Sequence, residues 1–311
     1  MSNEKVSVYQ VITDRILTML DAGTVPWRKG WTGGVNGNLP RNIRGTAYRG
    51  INTWLLSALG YDSPYFLTYK QAQALGGKVT PGQKGMSVIL WQPFEKVVFD
   101  EKRQMDVRKR LMTLRYYTVF NVEQTEGCKF PKKVQATLDG TKAAEPVEAF
   151  DPIEAAEDIV NGWETGPVVA HDGNGRAYYV PSEDIIHLPK RESFKSPAEY
   201  YSTRFHEMSH ATGHTSRLAR DQRNYFGSHD YGIEELTAEF SAAFLNALAG
   251  LDPLVIDNNA AYIASWKSAI KADPKLVITA AGKAQKSADL IIGAAVAKED
   301  IESESEQEAA A

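Results

Sequence analysis

The sequence predicts an α+β protein of two domains: a mixed α/β front half and a mainly helical back half with a small sheet. Three observations predict it. The chain has 311 residues, 43% of them hydrophobic, enough for two domains of ordinary size. Its charge divides by halves. Residues 1–129 hold 18 Lys and Arg against 10 Asp and Glu, net +8, whereas residues 130–311 hold 17 against 29, net -12. Between the halves, Pro131 to Phe150 is rich in Ala, Lys, Thr and Glu, poor in large apolar residues, and includes Asp139-Gly140, the composition of a linker. The expected boundaries are a domain over 1–130, a linker over 131–150, a second domain over 151–297 and an acidic tail over 298–311. Six acids in residues 299–308 make that tail a disordered segment in expectation.

In chain order, Val8, Ile12, Ile16, Leu17 and Leu20 recur at helical spacing, and Gly23 offers the stop. From Val25 to about Gly60 the composition turns to Gly, Pro, Trp, Arg and Asn, which predicts loops around one short element near Ile51–Leu59. Ser87–Trp91 and Arg115–Val122 read as strands, and the charged stretch Glu95–Arg110 between them suits a hairpin arm or an exposed loop. In the back half a helix near Pro152–Val160 leads to an expected hairpin turning at His171–Gly175, with Ala177–Val180 as a strand and Ile185–Leu188 as a further one. Three or four helices then run to about Ala297.

Composition also excludes classes. No run approaches the roughly 18 apolar residues of a membrane span. Asp14 and Arg15 interrupt any secretory apolar region near the N-terminus. A single cysteine, Cys128, rules out a disulfide framework or a multi-cysteine metal cluster and reads as a lone structural thiol. The expectation is a cytoplasmic protein with no membrane partner; no oligomeric state is read from the sequence.

The sharpest chemical signal is His206-Glu207-Met208-Ser209-His210, an H-E-x-x-H motif. Four residues apart on a helix, the two imidazoles are offset by about 40° and reach one ion. Glu207 beside them is the candidate general base. Four of the six histidines fall between 206 and 229. The expected cofactor is one divalent ion, zinc first, with manganese or another divalent ion also compatible. A catalytic site needs a third protein ligand. Ile233, Leu236, Phe240 and Phe244 mark a buried helical stripe, and Glu235 on an adjacent face lies 25 residues after His210, the spacing of a carboxylate from a second helix. Glu239, one turn on, is the candidate to accept a ligand histidine's ring N–H, and also an alternative third ligand with His214, His229 and Asp230. His214 continues the four-residue rhythm, but Gly213 suggests that the helix ends first, and Ser216 stands where a longer zinc motif has its third histidine. Tyr225 and Tyr231 are candidates to stabilise an oxyanion. No phosphate-binding G-x-x-x-x-G-K-[ST] loop is present.

The front half interleaves cations with aromatics. Trp27, Arg28, Lys29 and Trp31 cluster, and Arg41, Arg44, Tyr48, Arg49 and Trp54 continue the mixture, the ingredients of a basic groove with stacking platforms for single-stranded nucleic acid.

These motifs together resemble the ArdC family of antirestriction proteins carried on conjugative plasmids. In the front half the resemblance rests on Val25–Trp31, Pro40–Asn42, Tyr48-Arg49-Gly50-Ile51-Asn52, Leu67–Ala72, Leu75–Val79, Gly82–Gly85 and Val119–Gln124. In the back half it rests on Tyr178–Pro181, Tyr200-Tyr201, His206–His214, Arg217-Leu218 and Tyr231–Phe240. Gly30 departs from the pattern, standing where a second proline is expected. The resemblance implies an N-terminal domain that binds single-stranded DNA, with Asn52 among its contacts, and a C-terminal zincin-like metallopeptidase domain. It implies His206, His210 and Glu235 as ligands, with Glu207 as acid/base. The implied role is protection of incoming plasmid DNA from host restriction. Two other roles stay open: an active metallopeptidase that cuts proteins on single-stranded DNA or a component of a restriction system, and a non-enzymatic primase accessory module.

Overall fold

Helix α1, Val8–Asp21, forms where the apolar spacing predicts it, and the chain leaves it through Gly23 at a φ of 74°, a conformation that glycine adopts without strain. The computed structural model describes residues 7–23, 25–26, 39–100, 105–139, 152–172, 175–222, 229–251 and 260–294. After α1 come β1 (Arg41–Asn42), α2 (Ile51–Ser57), β2 (Tyr65–Thr68) and α3 (Tyr69–Ala74), then β3 (Lys78–Val79), β4 (Met86–Asp100), β5 (Met105–Asn121), β6 (Thr125–Glu126) and α4 (Lys132–Leu138). A reciprocal cap between Thr68 and Gln71 starts α3 directly from the strand. The main sheet has the order β1-β2-β5-β4, with β1 parallel to β2 and the other pairs antiparallel; β3 and β6 pair separately.

The charged stretch between the two expected strands is a hairpin arm. β4 and β5 stay paired from Met86↔Val119 to Asp100↔Met105. Among the described side chains the base is covered, with Val88, Ile89 and Val119 buried, whereas Phe94, Val97, Phe99 and Met105 are exposed. The stretch expected as a linker begins with structure, because α4 delivers Val134 into a small core with Tyr65, Leu67, Ala72 and Val122. Residues 140–151 and the expected acidic tail, 298–311, lie outside the described residues.

The back half opens with α5 (Pro152–Gly162), followed by β7 (Val168–His171), β8 (Tyr178–Val180) and β9 (Ile185–Leu188). The expected hairpin across His171–Gly175 does not form. The order is β7-β9-β8, with β9 parallel to β7 and antiparallel to β8. Burial explains it: Ile186 and Leu188 of β9 are fully buried and take the centre, while Val168 and Tyr178 stand exposed on edge strands. Arg217 pins this sheet to the chain after the next helix. Its guanidinium pairs with Asp184, donates to the Tyr179 hydroxyl and the Ala211 carbonyl, and covers the Trp163 ring. Four helices follow as expected: α6 (Pro197–Ala211), α7 (His229–Leu248), α8 (Ala260–Ala272) and α9 (Leu276–Ile291). Alanines at 238, 242 and 243 of α7 and at 280, 281, 284 and 288 of α9 are buried, which lets these helices approach closely. No described helix is long and apolar enough to cross a membrane.

The two domains share one continuous core. Trp54 of α2 is fully buried with its ring 4.3 Å from Phe244 and 6.0 Å from Phe240, both on α7. Ile12, Ile16 and Leu20 of α1 belong to the same cluster as Ile270 of α8 and Val277 of α9. Polar contacts fix the alignment. The Thr13 hydroxyl donates to the Pro274 carbonyl, the Gly50 amide donates to Gln285, and Arg49 pairs with Asp289.

Candidate metal centre

Helix α6 begins where its sequence predicts a start. Ser196 caps it by accepting from the Glu199 amide at 3.2 Å, and Pro197 occupies the first turn, where its missing N–H costs nothing. Tyr201, Phe205 and Met208 bury one face, which leaves His206 and His210 together on another. The helix ends at Ala211. His214 beyond it turns to Ser216, with Nδ1 at 2.7 Å from the hydroxyl, and does not join the cluster. Helix α7 packs across α6 and brings Glu235 to the two rings.

One ligand atom each from His206, His210 and Glu235 lies within 4.8 Å of the others. The Nε2 atoms of the two histidines are 3.1 Å apart, and the Glu235 carboxylate oxygens lie 3.7 Å from His206 Nε2 and 3.6 Å from His210 Nε2. A tetrahedral ion with bonds near 2.1 Å separates its ligand atoms by roughly 3.4 Å, so these three donors surround a point of the right size. Two ring nitrogens facing each other cannot both keep a proton there, and a cation resolves that conflict. Burial pulls His206 down, but Glu235 beside it and the charges of Glu207, Glu239 and Glu235 outweigh burial and lift its pKa to about 9. The pocket is therefore built for positive charge. Glu207, next to the first ligand on α6, is buried.

The ring-holding contact goes to Glu234 where the sequence suggested Glu239. Glu234 Oε1 lies 3.3 Å from His210 Nδ1. Nδ1 of His206 is buried without a hydrogen-bond partner, so Glu239, although buried and close enough for its charge to act on that ring, does not accept from it. Burial pushes the Glu234 carboxyl up; hydrogen bonds from Arg220 and His210, and their charges, prevail and hold it at about 2. Sequence reasoning missed Glu234, Arg220 and Gln222. The one signal was the doublet Glu234-Glu235, in which neighbours point about 100° apart on a helix and so serve different partners. Tyr225 lies outside the described residues, as do the side chains of His229, Asp230 and Tyr231.

The nucleic-acid candidates separate sharply. Trp27, Arg28, Lys29 and Trp31 lie outside the described residues. Asn52 is engaged within the fold. It is buried, and its amide spans the backbone of β4, donating to the Ile89 carbonyl at 2.7 Å and accepting from the Ile89 N–H at 2.8 Å. Arg49 is half-exposed but pairs with Asp289 across the domain junction. Arg41 donates to the Gly45 carbonyl inside its own turn, Tyr48 packs edge-on against Phe66, and Arg44 is exposed. Trp54 is core.

Comparison with known proteins matches each half of the chain to a family. A family described as the N-terminal domain of the anti-restriction factor ArdC matches residues 6–120, and a zincin-like metallopeptidase family matches residues 154–283. The metal-free crystal structure of the antirestriction ArdC protein from the R388 plasmid superposes with a TM-score of 0.69 at 38% identity, covering 92% of this chain and 96% of that one. The chain belongs to the ArdC antirestriction family. The Mn(II)-bound structure of the R388 ArdC protein gives a TM-score of 0.70 at 37% identity over 94% of this chain and 99% of the other. A DNA primase TraC of Escherichia coli is 34% identical over 99% of this chain, and an uncharacterized protein y4eC of Sinorhizobium fredii is 33% identical over 91%. This ArdC-family chain spans 29% of that primase's length and 90% of the Sinorhizobium protein's.

Proposed function

We propose that this chain acts as an antirestriction protein that binds single-stranded DNA through its front half, protects incoming plasmid DNA from host restriction in the cytoplasm, and holds one divalent metal in a zincin-type peptidase centre. The convergence of His206, His210 and Glu235 carries the metal reading. Zinc suits two imidazoles and a carboxylate, and the Mn(II)-bound R388 relative supports a divalent ion in general. Such an ion supplies Lewis acidity toward a peptide carbonyl and the attacking water. Glu207 takes the water's proton and returns it to the departing amine nitrogen. An intact Glu207 favours the second reading, in which the centre cuts proteins on single-stranded DNA, because a purely structural site has no use for a general base.

Glu235→Gln is expected to lose most bound metal by elemental analysis of the purified protein, and His214→Ala to keep it. Full occupancy in Glu235→Gln would remove the ligand assignment.

With Asn52 buried and Arg49 paired to Asp289, support for DNA binding rests on other exposed groups. Arg44, Arg108, Arg115, Tyr69 and Tyr116 are exposed in the front half, which carries a net +8. Cations for phosphates beside rings for bases are the requirement of a single-strand surface. The full chain is expected to bind single strands in preference to duplex, with little sequence preference. Affinity should fall with salt by about 0.7 log units per log unit for each phosphate contacted. Equal affinity for duplex at equal salt would sink this reading.

A further inference from the structure

The two histidines of the centre are not held alike. His206 Nδ1 is buried without a partner, whereas His210 Nδ1 faces Glu234 at 3.3 Å. A ring that offers its Nε2 lone pair to a cation carries its proton on Nδ1, and that proton needs an acceptor. Glu234 is a fixed acceptor. Arg220 grips its carboxylate with two parallel bonds, Nε to Oε2 at 2.9 Å and Nη2 to Oε1 at 2.8 Å. Gln222 donates to the same Oε1 at 3.3 Å and to the His210 backbone carbonyl at 2.6 Å.

Arg220 is itself anchored. Its Nη1 donates to Thr212 Oγ1 at 2.7 Å and Ser287 Oγ at 2.9 Å, and its Nη2 donates to the Ser209 carbonyl at 2.7 Å. Its side chain is 7% exposed, so each bond forms out of water, where a charge-assisted contact is strong and a missing one costly. The backbone is shaped to admit it. Ala219, just before, sits at a φ of 48°, a region that favours glycine, and Gly213 has no side chain where a Cβ would come within 2.6 Å of Gln222 Nε2. Such a conformation persists when its surroundings hold it, and here they deliver Arg220 and Gln222 beneath the end of α6.

We propose that Glu234, clamped by Arg220 and Gln222, is a positioning residue that keeps His210 in its Nδ1–H tautomer with Nε2 aimed at the metal, so that metal affinity depends on a carboxylate outside the donor set. The proposal rests on His206, His210 and Glu235 being the ligands. The guanidinium's two parallel bonds fix both oxygens of Glu234, so that Oε1 stays turned toward His210 Nδ1.

The test uses the full-length chain, with apparent Zn²⁺ affinity measured by competition against a chelator. Glu234→Gln preserves shape but removes the charge. It should weaken Zn²⁺ binding by about 10–100-fold, with Glu234→Ala weakening it at least as much. Glu235→Gln serves as the ligand control. Wild-type affinity in Glu234→Gln, alongside metal loss in Glu235→Gln, overturns this proposal alone. Full affinity in Glu235→Gln overturns the ligand set and the proposal with it. A readout on the unmutated protein guards against a folding defect in the variants. In zinc-loaded protein labelled with ¹⁵N-histidine, His210 should coordinate through Nε2 and carry a slowly exchanging proton on Nδ1. Coordination through Nδ1, or a fast-exchanging Nδ1 proton, overturns the proposal.

Discussion

Glu207→Gln is expected to remove peptide hydrolysis while sparing metal content and single-stranded DNA affinity. The substitution changes one oxygen to nitrogen in a buried side chain next to the first ligand, so it neither opens a cavity nor removes a donor from the metal cluster. What it removes is basicity. General acid–base catalysis contributes about 10²–10⁴ in rate, and Glu207 serves both the attacking water and the departing amine in the proposed mechanism, so turnover should fall by at least that range. An unstructured protein offered with single-stranded DNA is the substrate to assay. The same variant separates the two functional readings. Conjugation of plasmids carrying wild-type or Glu207→Gln protein into restricting and non-restricting recipients measures antirestriction directly. Protection that survives the substitution points to coating of the incoming strand, which needs affinity and no bond cleavage. Protection that drops to the level of a deletion, with metal and DNA binding intact, makes hydrolysis the mechanism.

The parts of this molecule legible in its sequence are those set by local rules. The spacing of Ile12, Ile16 and Leu20 gave α1, Ser196-Pro197 gave the start of α6, and four-residue spacing put His206 and His210 on one face. Glu235 was within reach because one common arrangement takes its third ligand from a second helix, and the stripe Leu236, Phe240 and Phe244 marked that helix. Other features depend on what long-range packing does with a residue. Nothing local to Ile185–Leu188 says that it will insert between β7 and β8; its two fully buried side chains decide that once the sheet meets α6. Asn52 and Arg49 sit among cations and aromatics in sequence, and composition does not say what either touches. In the fold, one repairs the backbone of β4 and the other crosses to Asp289. Arg220 and Gln222 lie in a loop with no periodicity at all, and their role emerges only when that loop folds back under α6.

Trp54→Ala is expected to weaken both domains at once. The indole is fully buried at the junction, against Phe240 and Phe244, and α7, which carries those rings, also carries Glu234 and Glu235. Truncating a buried tryptophan costs about 3–5 kcal/mol when its surroundings cannot collapse. Collapse here would have to draw α2 toward α7 against the Arg49–Asp289 pair and the Gly50–Gln285 bond, which set the spacing from α9. Against a typical total of about 5–15 kcal/mol, a loss of this size takes a large share of the stability. Because the core runs without a break from α1 and α2 to α9, wild type and variant should each unfold in one transition, the variant's at markedly lower temperature. Metal release and loss of single-stranded DNA binding should track that same transition. Two transitions in the variant, with DNA binding surviving the first, would mean that the front half folds by itself and that the shared core is only a docking surface. A front half cut off after α4 puts the same question from the other side, since it would leave Trp54, Ile12 and Ile16 facing water where α7, α8 and α9 now cover them.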